Sequence, residues 1–327
     1  MTVRAAVLVL GALLAGGCAH RSALIAPALI APAQSTVELT DTPFFPQRDY
    51  QCGPAALATV LVADGVEVTA DDLVERVYLP GRKGSLQPEL LATSRSFDRL
   101  PYVLEPQLPA LLSEVAAGHP VLVLQNYGLE SVPFWHYAVV VGFDAERDRF
   151  VLRSGTEERL EMSARRFMGT WERADRWAIT VLAPDRLPAS ATRERFLEAA
   201  SALEATQRLD AAVRAYGTAL QRWPGDTTAL LGVGNVKYAA GDLPGAETAY
   251  REVLRLDAAH AVARNNLAQT LLDRGDTRAA LEEITAARAS LSDPRLAPLL
   301  EQTEQSIRQA LAATPPQPQP SPTNGRG

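Results

Sequence analysis

The amino-acid sequence predicts an α+β domain followed by an all-α repeat array. Residues 41–183 contain helix patterns first and short apolar strand patterns after them, the order typical of an α+β fold. Residues 189–312 contain helix patterns only, and these recur every 34 residues. The chain has 327 residues, 47% of them apolar, so it is long enough for two domains with hydrophobic cores.

Four helices are expected at the start of the α+β domain. The first covers residues 53–64 and has proline in its first turn, where proline is tolerated. The second begins at residues 69–72, TADD, a sequence typical of a capping box. Ser85 is the predicted N-cap of the third helix, and the fourth covers residues 108–117 before a terminating glycine.

Four strands are expected after these helices. They are residues 120–124, 136–143, 149–153 and 177–182, short apolar runs rich in β-branched residues. The polar residues 144–148 separate the second strand from the third and indicate a hairpin. An antiparallel sheet therefore completes the domain.

Matching residues recur through the C-terminal half at the 34-residue spacing. Ala200, Gly234 and Ala268 occupy equivalent positions, where small residues allow two helices to approach closely. This pattern resembles the tetratricopeptide repeat, which implies paired helices stacked into a solenoid with a groove for peptides or proteins. The predicted parts are units at residues 193–226, 227–260 and 261–294, a capping helix to about residue 312, and a proline-rich disordered tail at residues 313–327.

The first 17 residues have the pattern of a secretory signal peptide. Arg4 precedes an apolar run at residues 5–17, which is shorter than the roughly 20 residues that a bilayer span needs. The run ends in LAGGC, which resembles the lipobox of bacterial lipoproteins and implies that Cys18 becomes a lipidated N-terminus. Residues 18–40 then form a tether, and Ala19 after the cysteine implies the outer membrane, facing the periplasm. Cleavage near Cys18 without lipidation is the alternative.

Cys52 is the candidate nucleophile. Lipidation of Cys18 would leave it without a disulfide partner within the chain, and an idle thiol is a liability in an oxidising compartment. Cys52 directly precedes a predicted helix, and a helix N-terminus carries about half a positive charge that favours the thiolate. The sequence therefore predicts a lowered pKa for this thiol. A buried structural cysteine is the alternative.

A cysteine nucleophile needs a base, and His136 is the best placed of the four histidines. His20 falls in the tether and His260 in the repeats, so two histidines remain in the α+β domain. His136 opens a predicted strand, whereas His119 lies in the loop before another strand and is the less favoured base. A purely structural role for His136 is the other alternative.

Two segments of this domain together resemble a known family. The motif Q-x₄-C-G-P-A-A at residues 47–56, followed by H-Y-A-V-V-V-G from His136, resembles the bacteriocin-processing, double-glycine-leader cysteine peptidases and their stand-alone relatives. The resemblance covers about residues 41–183. It implies a papain-like fold in which Cys52 is the nucleophile, His136 is the base, and Gln47 joins the Cys52 N–H in an oxyanion hole. Gln51 is the alternative for that last role.

The third catalytic position departs from the family pattern. The family usually carries Asp or Asn at the end of the strand after the histidine strand, and here Ser154 occupies that place. With the predicted hairpin turn, His136 faces residues near position 156, so Ser154 shares its face of the sheet. A slip of one residue would bring in Arg153 or Glu157 instead. A neutral hydroxyl fixes the tautomer of a histidine but cannot stabilise an imidazolium as a carboxylate does.

The combination predicts an envelope-anchored cysteine peptidase whose repeats recruit a substrate or a protein partner. Transfer of the acyl group to an amine instead of water is a related activity. The alternative is a catalytically inactive peptidase-like lipoprotein scaffold that binds peptides or assembles an envelope complex. We expect no cofactor, no metal and no nucleic acid, because the sequence lacks metal-ligand motifs, a glycine-rich phosphate loop and a basic block, and its net charge is −6.

Overall fold

The computed structural model describes residues 23–25, 35–47 and 51–313. The predicted signal peptide, His20, the lipidation site at Cys18 and all but the first residue of the predicted tail lie outside them. No helix among the described residues is both long enough and apolar enough to cross a bilayer.

The α+β domain is built on one antiparallel sheet. The strands found in the described residues are β1 Thr36–Glu38, β2 Leu100–Val103, β3 Val121–Asn126, β4 Trp135–Asp144, β5 Arg149–Ser154, β6 Glu157–Ser163 and β7 Ala178–Leu182. Their order across the sheet is β2-β7-β3-β4-β5-β6, and β1 pairs with the end of β4. β4 and β5 form the predicted hairpin.

Helices cover both faces of this sheet. They are α1 Cys52–Ala63, α2 Ala70–Val77, α3 Gln87–Ser96, α4 Leu108–Ala116 and α5 Ala164–Glu172. Because side chains alternate along a strand, Leu122 and Leu124 of β3 pack in the core with α1, α2 and α3. Val121 and Val123 belong to the opposite core with α4 and α5. The α+β prediction is confirmed.

Local sequence explains where two of these helices begin. Thr69 and Asp72 form the predicted capping box at the start of α2, in which each side chain accepts the backbone N–H of the other residue. The prediction that Ser85 caps α3 is wrong, because the N-cap is Leu86 and its side chain makes no cap hydrogen bond. Pro88 in the first turn lacks an N–H, so one fewer donor needs a partner there.

The sequence patterns missed three strands and one helix of the domain. β2 contains Pro101, which argues against a strand, although an edge strand tolerates it. β1 is only three residues long, and β6 is an edge strand whose residues are mostly exposed. α5 follows β6 directly and is capped by Ser163. Short edge strands lack the apolar alternation on which the predictions depended.

The C-terminal part is a run of paired helices. They are α6 Arg193–Ala205, α7 Leu209–Arg222, α8 Thr227–Ala239, α9 Leu243–Leu256, α10 Ala261–Asp273, α11 Thr277–Ala289 and α12 Ala297–Ala313. The first helices of the three pairs begin at residues 193, 227 and 261, which is the predicted spacing. A Cβ on Gly234 would lie 2.4 Å from the Tyr250 ring, so this helix pair needs glycine there. The all-α prediction is confirmed.

The two parts share one continuous core. Phe196 of α6 and Tyr216 of α7 belong to the same buried cluster as the α4 and α5 side of the sheet. The fully buried Glu114 of α4 accepts hydrogen bonds from the His119 ring at 2.7 Å and from the Ser190 N–H at 2.7 Å. This carboxylate therefore ties α4 to the segment that leads into the repeats.

Part of the predicted tether packs on the domain. Ile25 is fully buried, and its N–H donates to the Asp148 carboxylate at 3.0 Å. Thr36–Glu38 forms β1 and pairs with β4. The prediction of a free tether through residue 40 is wrong for these residues, because burial of an apolar side chain and strand pairing both favour docking. The domain thus begins by Thr36 rather than at residue 41.

Candidate active site

Cys52 is the first residue of α1, with Gln51 at the N-cap. The thiol is partly buried, and the nearby backbone N–H groups of Cys52, Gly53 and Tyr137 favour its thiolate form. Burial nevertheless raises the pKa of the Cys52 thiol, and these N–H groups offset only part of the effect. The predicted lowering of this pKa is therefore wrong, because lost hydration of the thiolate outweighs the helix N-terminus.

Gly53 allows the cleft wall to approach α1. A Cβ at this position would lie 2.2 Å from Ser85 Oγ, so any larger residue would displace Ser85. The Ser85 carbonyl accepts a hydrogen bond from the Tyr137 hydroxyl at 3.3 Å, which holds the wall against β4. This close approach explains why glycine follows the cysteine in the motif.

His136 is the second residue of β4 and is 8% exposed. Its Nε2 atom lies 2.8 Å from Ser154 Oγ. Burial lowers the pKa of His136 to about 4, because the charged imidazolium would lose its hydration. The ring is therefore neutral at pH 7 and has one nitrogen available to accept a proton.

A β-bulge sets which residue meets His136. The pairing between β4 and β5 shifts by one residue between Val140 and Gly142. On the His136 side of the shift, Val139 pairs with Arg153, which is the register expected from the predicted turn. Ser154 therefore lies on the His136 face of the sheet.

The alternatives to Ser154 are engaged elsewhere. The Arg153 guanidinium is buried on the opposite face, where it donates to the carbonyl oxygens of Thr40 and Thr42. Glu157 is exposed and pairs with Ser154 across the turn between β5 and β6. Ser154 is thus the side chain that hydrogen-bonds the His136 ring in the described part of the chain.

Gln47 lies in the cleft with Cys52. Its N–H donates to the Gly155 carbonyl at 3.0 Å, which fastens the segment before α1 to the turn after Ser154. Gln47 lines the cleft, whereas Gln51 does not. The geometry therefore favours Gln47 over Gln51 as the partner of the Cys52 N–H.

Cys52 and His136 line one cleft of about 1110 Å³. Its rim includes the exposed apolar side chains of Phe134 and Trp135, 63% and 51% accessible. No hydrogen bond joins the thiol to the imidazole among the described contacts, but the N–H of Tyr137, the residue after His136, is near enough to the thiol to favour the thiolate. Catalytic hydrogen bonds are often long before substrate binds.

A group of polar residues that the sequence patterns did not predict lies behind His136. The Tyr127 ring stacks on the His136 ring with centroids 5.2 Å apart, and the Tyr127 hydroxyl donates to Gln125 Oε1 at 3.1 Å. Gln125 is fully buried and donates to Thr170 of α5 at 2.6 Å. Gln125, a polar residue at the end of an apolar strand, was the available signal. Because the loop after β3 is long, the sequence did not show which residue of β4 would pair with Gln125.

The other described histidines have structural contacts. His119 is paired with Glu114, away from the cleft. His260 caps α10 by accepting the Ala263 N–H at 3.2 Å. In the described residues, no group of three or more His, Cys, Asp and Glu side chains is placed to hold a metal ion.

Comparison with known families agrees with this arrangement. Residues 39–179 match the peptidase C39-like family. These residues are a peptidase C39-like domain. Residues 197–261 match the tetratricopeptide repeat. The resemblances of the α+β domain to the peptidase family and of the C-terminal part to the tetratricopeptide repeat are confirmed, whereas the lipobox stays a prediction. No curated protein matches the chain.

Three solved structures have low similarity to parts of the chain. A C39-like peptidase from Bacillus anthracis is 17% identical, with 45% of this chain and 97% of that chain covered and a TM-score of 0.39. The Yersinia enterocolitica type III secretion chaperone SycD, solved with a peptide of the translocator YopD, is 17% identical, with 36% and 92% covered and a TM-score of 0.35. The TPR2B domain of yeast Sti1, solved in complex with pHsp70, is 18% identical, with 36% and 96% covered and a TM-score of 0.34.

The C39-like domain brings the candidate nucleophile, the candidate base and a neutral partner of that base to one cleft. Cys52 supplies a thiol at a helix start, His136 a neutral imidazole, and Ser154 a hydroxyl in place of a carboxylate. A neutral partner fixes the orientation of the imidazole without stabilising its charged form. The site therefore favours transfer of the thiol proton at the moment when the sulfur attacks a carbonyl carbon. It disfavours a thiolate–imidazolium pair that exists before substrate binds.

Proposed function

We propose that this chain is an envelope-anchored cysteine peptidase whose repeats bind a substrate or a partner protein. The observation that carries the proposal is the hydrogen bond of 2.8 Å between His136 Nε2 and Ser154 Oγ, in a cleft that Cys52 also lines. A histidine held in one orientation beside a thiol at a helix start is the arrangement that nucleophilic catalysis needs.

Acylation begins at Cys52. The thiol proton passes to the free ring nitrogen of His136 while the sulfur forms a bond with the peptide carbonyl carbon. The carbonyl oxygen takes the displaced electron pair, and the Gln47 side chain and the Cys52 N–H donate hydrogen bonds to it. The C–N bond then breaks, and His136 returns the proton to the departing amine.

Deacylation uses the same groups. His136 takes a proton from water as the water oxygen attacks the thioester carbon, the C–S bond breaks, and the proton returns to Cys52. An amine in place of water would give acyl transfer by the same steps. Because burial raises the pKa of Cys52 and lowers that of His136, both groups start neutral at pH 7.

Lipidation of Cys18 would hold the protein at the outer membrane, facing the periplasm. The LAGGC sequence that ends the apolar N-terminal run supports this placement. Labelling with a radioactive fatty acid tests it: wild type should carry label in the outer-membrane fraction, and Cys18→Ser should carry none. If neither protein carries label, the lipid anchor is rejected, but the peptidase proposal is not affected.

The repeats offer an uncharged groove for a peptide. A cavity of about 450 Å³ is lined by carboxamide, hydroxyl and apolar side chains and by no charged residue. Asn265 in this groove is 5% exposed, and its Oδ1 has no hydrogen-bond partner among the described residues. We expect peptide binding there to depend little on salt.

Turnover of an activated ester tests the chemistry before any substrate is known. The full chain with Cys18→Ser keeps Cys52 as its sole thiol. Reaction with p-nitrophenyl acetate should give a burst of one equivalent, an acetyl group located on Cys52 by peptide mapping, and continued slow release. His136→Ala should acylate roughly 10²-fold more slowly or worse, since general base catalysis contributes that much. Reaction no faster than that of a free thiol in both proteins would reject the enzyme.

Peptide cleavage is the decisive second measurement. The chain is incubated with a peptide library made from envelope proteins, and new N-termini are identified by mass spectrometry. Cleavage by wild type and not by Cys52→Ala supports a peptidase. Equal cleavage by both would show that another protein is responsible.

An inactive scaffold is the second candidate, and three observations favour it. The Cys52 pKa is raised and the His136 pKa lowered, and the orienting residue is a hydroxyl rather than a carboxylate. A scaffold would bind peptides equally well in wild type and Cys52→Ala and cleave none of them. An enzyme would retain peptides in Cys52→Ala and release cut products in wild type.

A further inference from the structure

Two segments at the rim of the Cys52 cleft present charged and aromatic side chains. One segment is residues 82–87, between α2 and α3, and the other is residues 133–135, which lead into β4. Cys52 and His136 line the same cleft. A peptide bound there is therefore within reach of both segments, and their side chains bear on which peptides fit.

The first segment brings positive charge to the cleft. Among the described residues that line it, Arg82 and Lys83 are cationic and exposed, whereas Asp175 alone is anionic. The Arg82 guanidinium makes no hydrogen bond or ion pair within the part of the chain that the structure describes. The whole chain has a net charge of −6, so the positive rim is a local feature. A cleft lined mainly by one sign of charge concentrates ligands of the opposite sign.

A closed turn holds the backbone of Arg82 at the rim. Pro80–Arg82 forms a single 3₁₀ turn, and the Leu79 N–H donates to the Gly84 carbonyl at 2.8 Å, which closes the segment. Lys83 ends the turn with φ +48°, a left-handed conformation that costs energy for a residue with a side chain. The turn is thus fixed before any ligand binds, and such preorganisation favours binding.

The second segment is held by a buried side chain. Asn126 is 1% exposed, and its Oδ1 accepts the N–H groups of Gly128 and Phe134, both at 2.9 Å. A Cβ on Gly128 would lie 2.3 Å from the Val132 carbonyl oxygen, so the loop closes tightly on itself. Phe134 and Trp135 are therefore presented at the rim by a fixed backbone. Exposed aromatic rings at a binding site suit an apolar side chain of the ligand.

We propose that the cleft selects extended peptides with an Asp or Glu side chain, bound by Arg82, and a large apolar side chain, bound by Phe134 and Trp135. The proposal rests on the proposed function and names its substrate class. A peptide carries negative charge as carboxylate, which the planar guanidinium of arginine binds with two parallel hydrogen bonds.

The position of Arg82 limits where the carboxylate lies in the peptide. Ser85 lies against Gly53, the residue after the nucleophile. Arg82 precedes Ser85 by three residues, a span of at most about 11 Å. An extended peptide advances about 3.3 Å per residue. We therefore expect the acidic side chain within about four residues of the bond that Cys52 attacks.

A peptide fits these observations better than a membrane surface does. Leu129 and Val132, which are 70% and 71% exposed, protrude from the same loop but do not line the cleft. A bilayer would contact protruding side chains of this kind. Arg82, Phe134 and Trp135 instead surround a concave site that holds the thiol.

The test is a peptide selection that does not depend on catalysis. The full chain with Cys18→Ser and Cys52→Ala is immobilised and exposed to a display library of random decapeptides. We expect enrichment of Asp or Glu together with Phe, Trp or Leu. Arg82→Glu should replace the acidic preference by Lys or Arg, and Trp135→Ala should weaken the apolar preference alone. Arg165→Glu changes an exposed arginine of α5 outside the cleft, so it is the matched control and should select like the parent protein.

The affinity of one selected peptide gives the size of the effect. The most enriched acidic peptide is labelled with an uncharged dye and titrated by fluorescence anisotropy. Arg82→Gln should weaken binding roughly 2- to 5-fold, the range for an exposed ion pair. The difference should shrink at high salt, unlike binding in the uncharged groove of the repeats. An equal affinity of both proteins at low salt would overturn the proposal.

The remaining outcomes separate this proposal from the peptidase. An unchanged acidic preference in Arg82→Glu would overturn the selection by Arg82, even if wild type cleaves peptides. Binding of phosphatidylglycerol vesicles that is lost in Arg82→Glu, with no peptide enriched, would overturn it in favour of a membrane surface. Acidic peptides that are selected but never cut by the chain with Cys52 intact would uphold the selection and reject the peptidase.

Discussion

Gln125 and His136 are direct cross-strand partners in the β3–β4 ladder and lie on the same face of the sheet. Opposed side chains on neighbouring strands usually interact with each other. Here the His136 ring bonds Ser154 on β5, and Gln125 is connected to the ring through Tyr127, which stacks on the imidazole and donates its hydroxyl to Gln125. The orientation of the base therefore depends on three strands and, through Thr170, on α5.

A carboxylate at position 154 should raise the pKa of His136. Ser154→Asp is expected to raise the pKa of His136 from about 4 by one to three units, as an opposite charge within reach does. Ser154→Asn accepts from Nε2–H without a charge, so it should leave the pKa near its wild-type value. A titration of the ring by NMR measures both. Equal pKa values in the two variants would show that charge at this position does not reach the ring.

Gln47 should act on the transition state rather than on substrate binding. Removal of one oxyanion-hole donor costs roughly 10²- to 10³-fold in kcat in other enzymes. Gln47→Ala is expected to show a loss of that size with little change in KM, measured with p-nitrophenyl acetate. Gln51→Ala is the matched control, because Gln51 does not line the cleft, and it should stay close to wild type. A larger loss in Gln51→Ala would exchange the two roles.

The residues of this site differed in how well the sequence predicted them. Cys52 and Gln47 came from a contiguous motif, and His136 from a strand start, so local patterns were sufficient. The prediction of Ser154 depended on the register between β4 and β5. The predicted turn gave the correct register on the His136 side of the β-bulge. The polar residues behind His136 were missed because Gln125 and Tyr127, at the end of β3, meet Thr170 and the His136 ring only in the folded domain.

The predicted pKa of Cys52 failed for a different physical reason. Position at a helix N-terminus is visible in the sequence, and its direction is known. The depth of the thiol depends on how β4 and the Ser85 segment cover it, which the sequence does not specify. Burial proved the larger effect. The prediction of a tether through residue 40 was wrong for a similar reason, because the burial of Ile25 depends on a pocket that only the tertiary structure forms.

The neutral His136 should make folding stability depend on pH. Its pKa is about 4 in the folded chain and about 6.5 when unfolded, so the unfolded chain binds more protons between these values. The contribution of about 3 kcal/mol is present above pH 6.5 and is lost as the pH falls toward 4. Urea unfolding of wild type and His136→Gln at several pH values measures it. The free energy of unfolding should fall more steeply in wild type, and parallel curves would contradict the shift.

Gly53 should be intolerant of a single added methyl group. A Cβ there would lie 2.2 Å from Ser85 Oγ and 2.5 Å from Ser85 Cβ, and the second atom cannot rotate away. Gly53→Ala is expected to cost about 1–3 kcal/mol in the free energy of unfolding, the range for overpacking, and to lower turnover by displacing the cleft wall.

Two further variants make this a test of the contact. Gly217→Ala places a methyl group in another helix with no atom within 4 Å, so it should be neutral or stabilising by up to about 1 kcal/mol. Gly53→Ala combined with Ser85→Gly removes both clashing atoms and should recover most of the stability, giving a favourable coupling in the double-mutant cycle. Equal losses in the single and double variants would place the strain elsewhere than at Ser85.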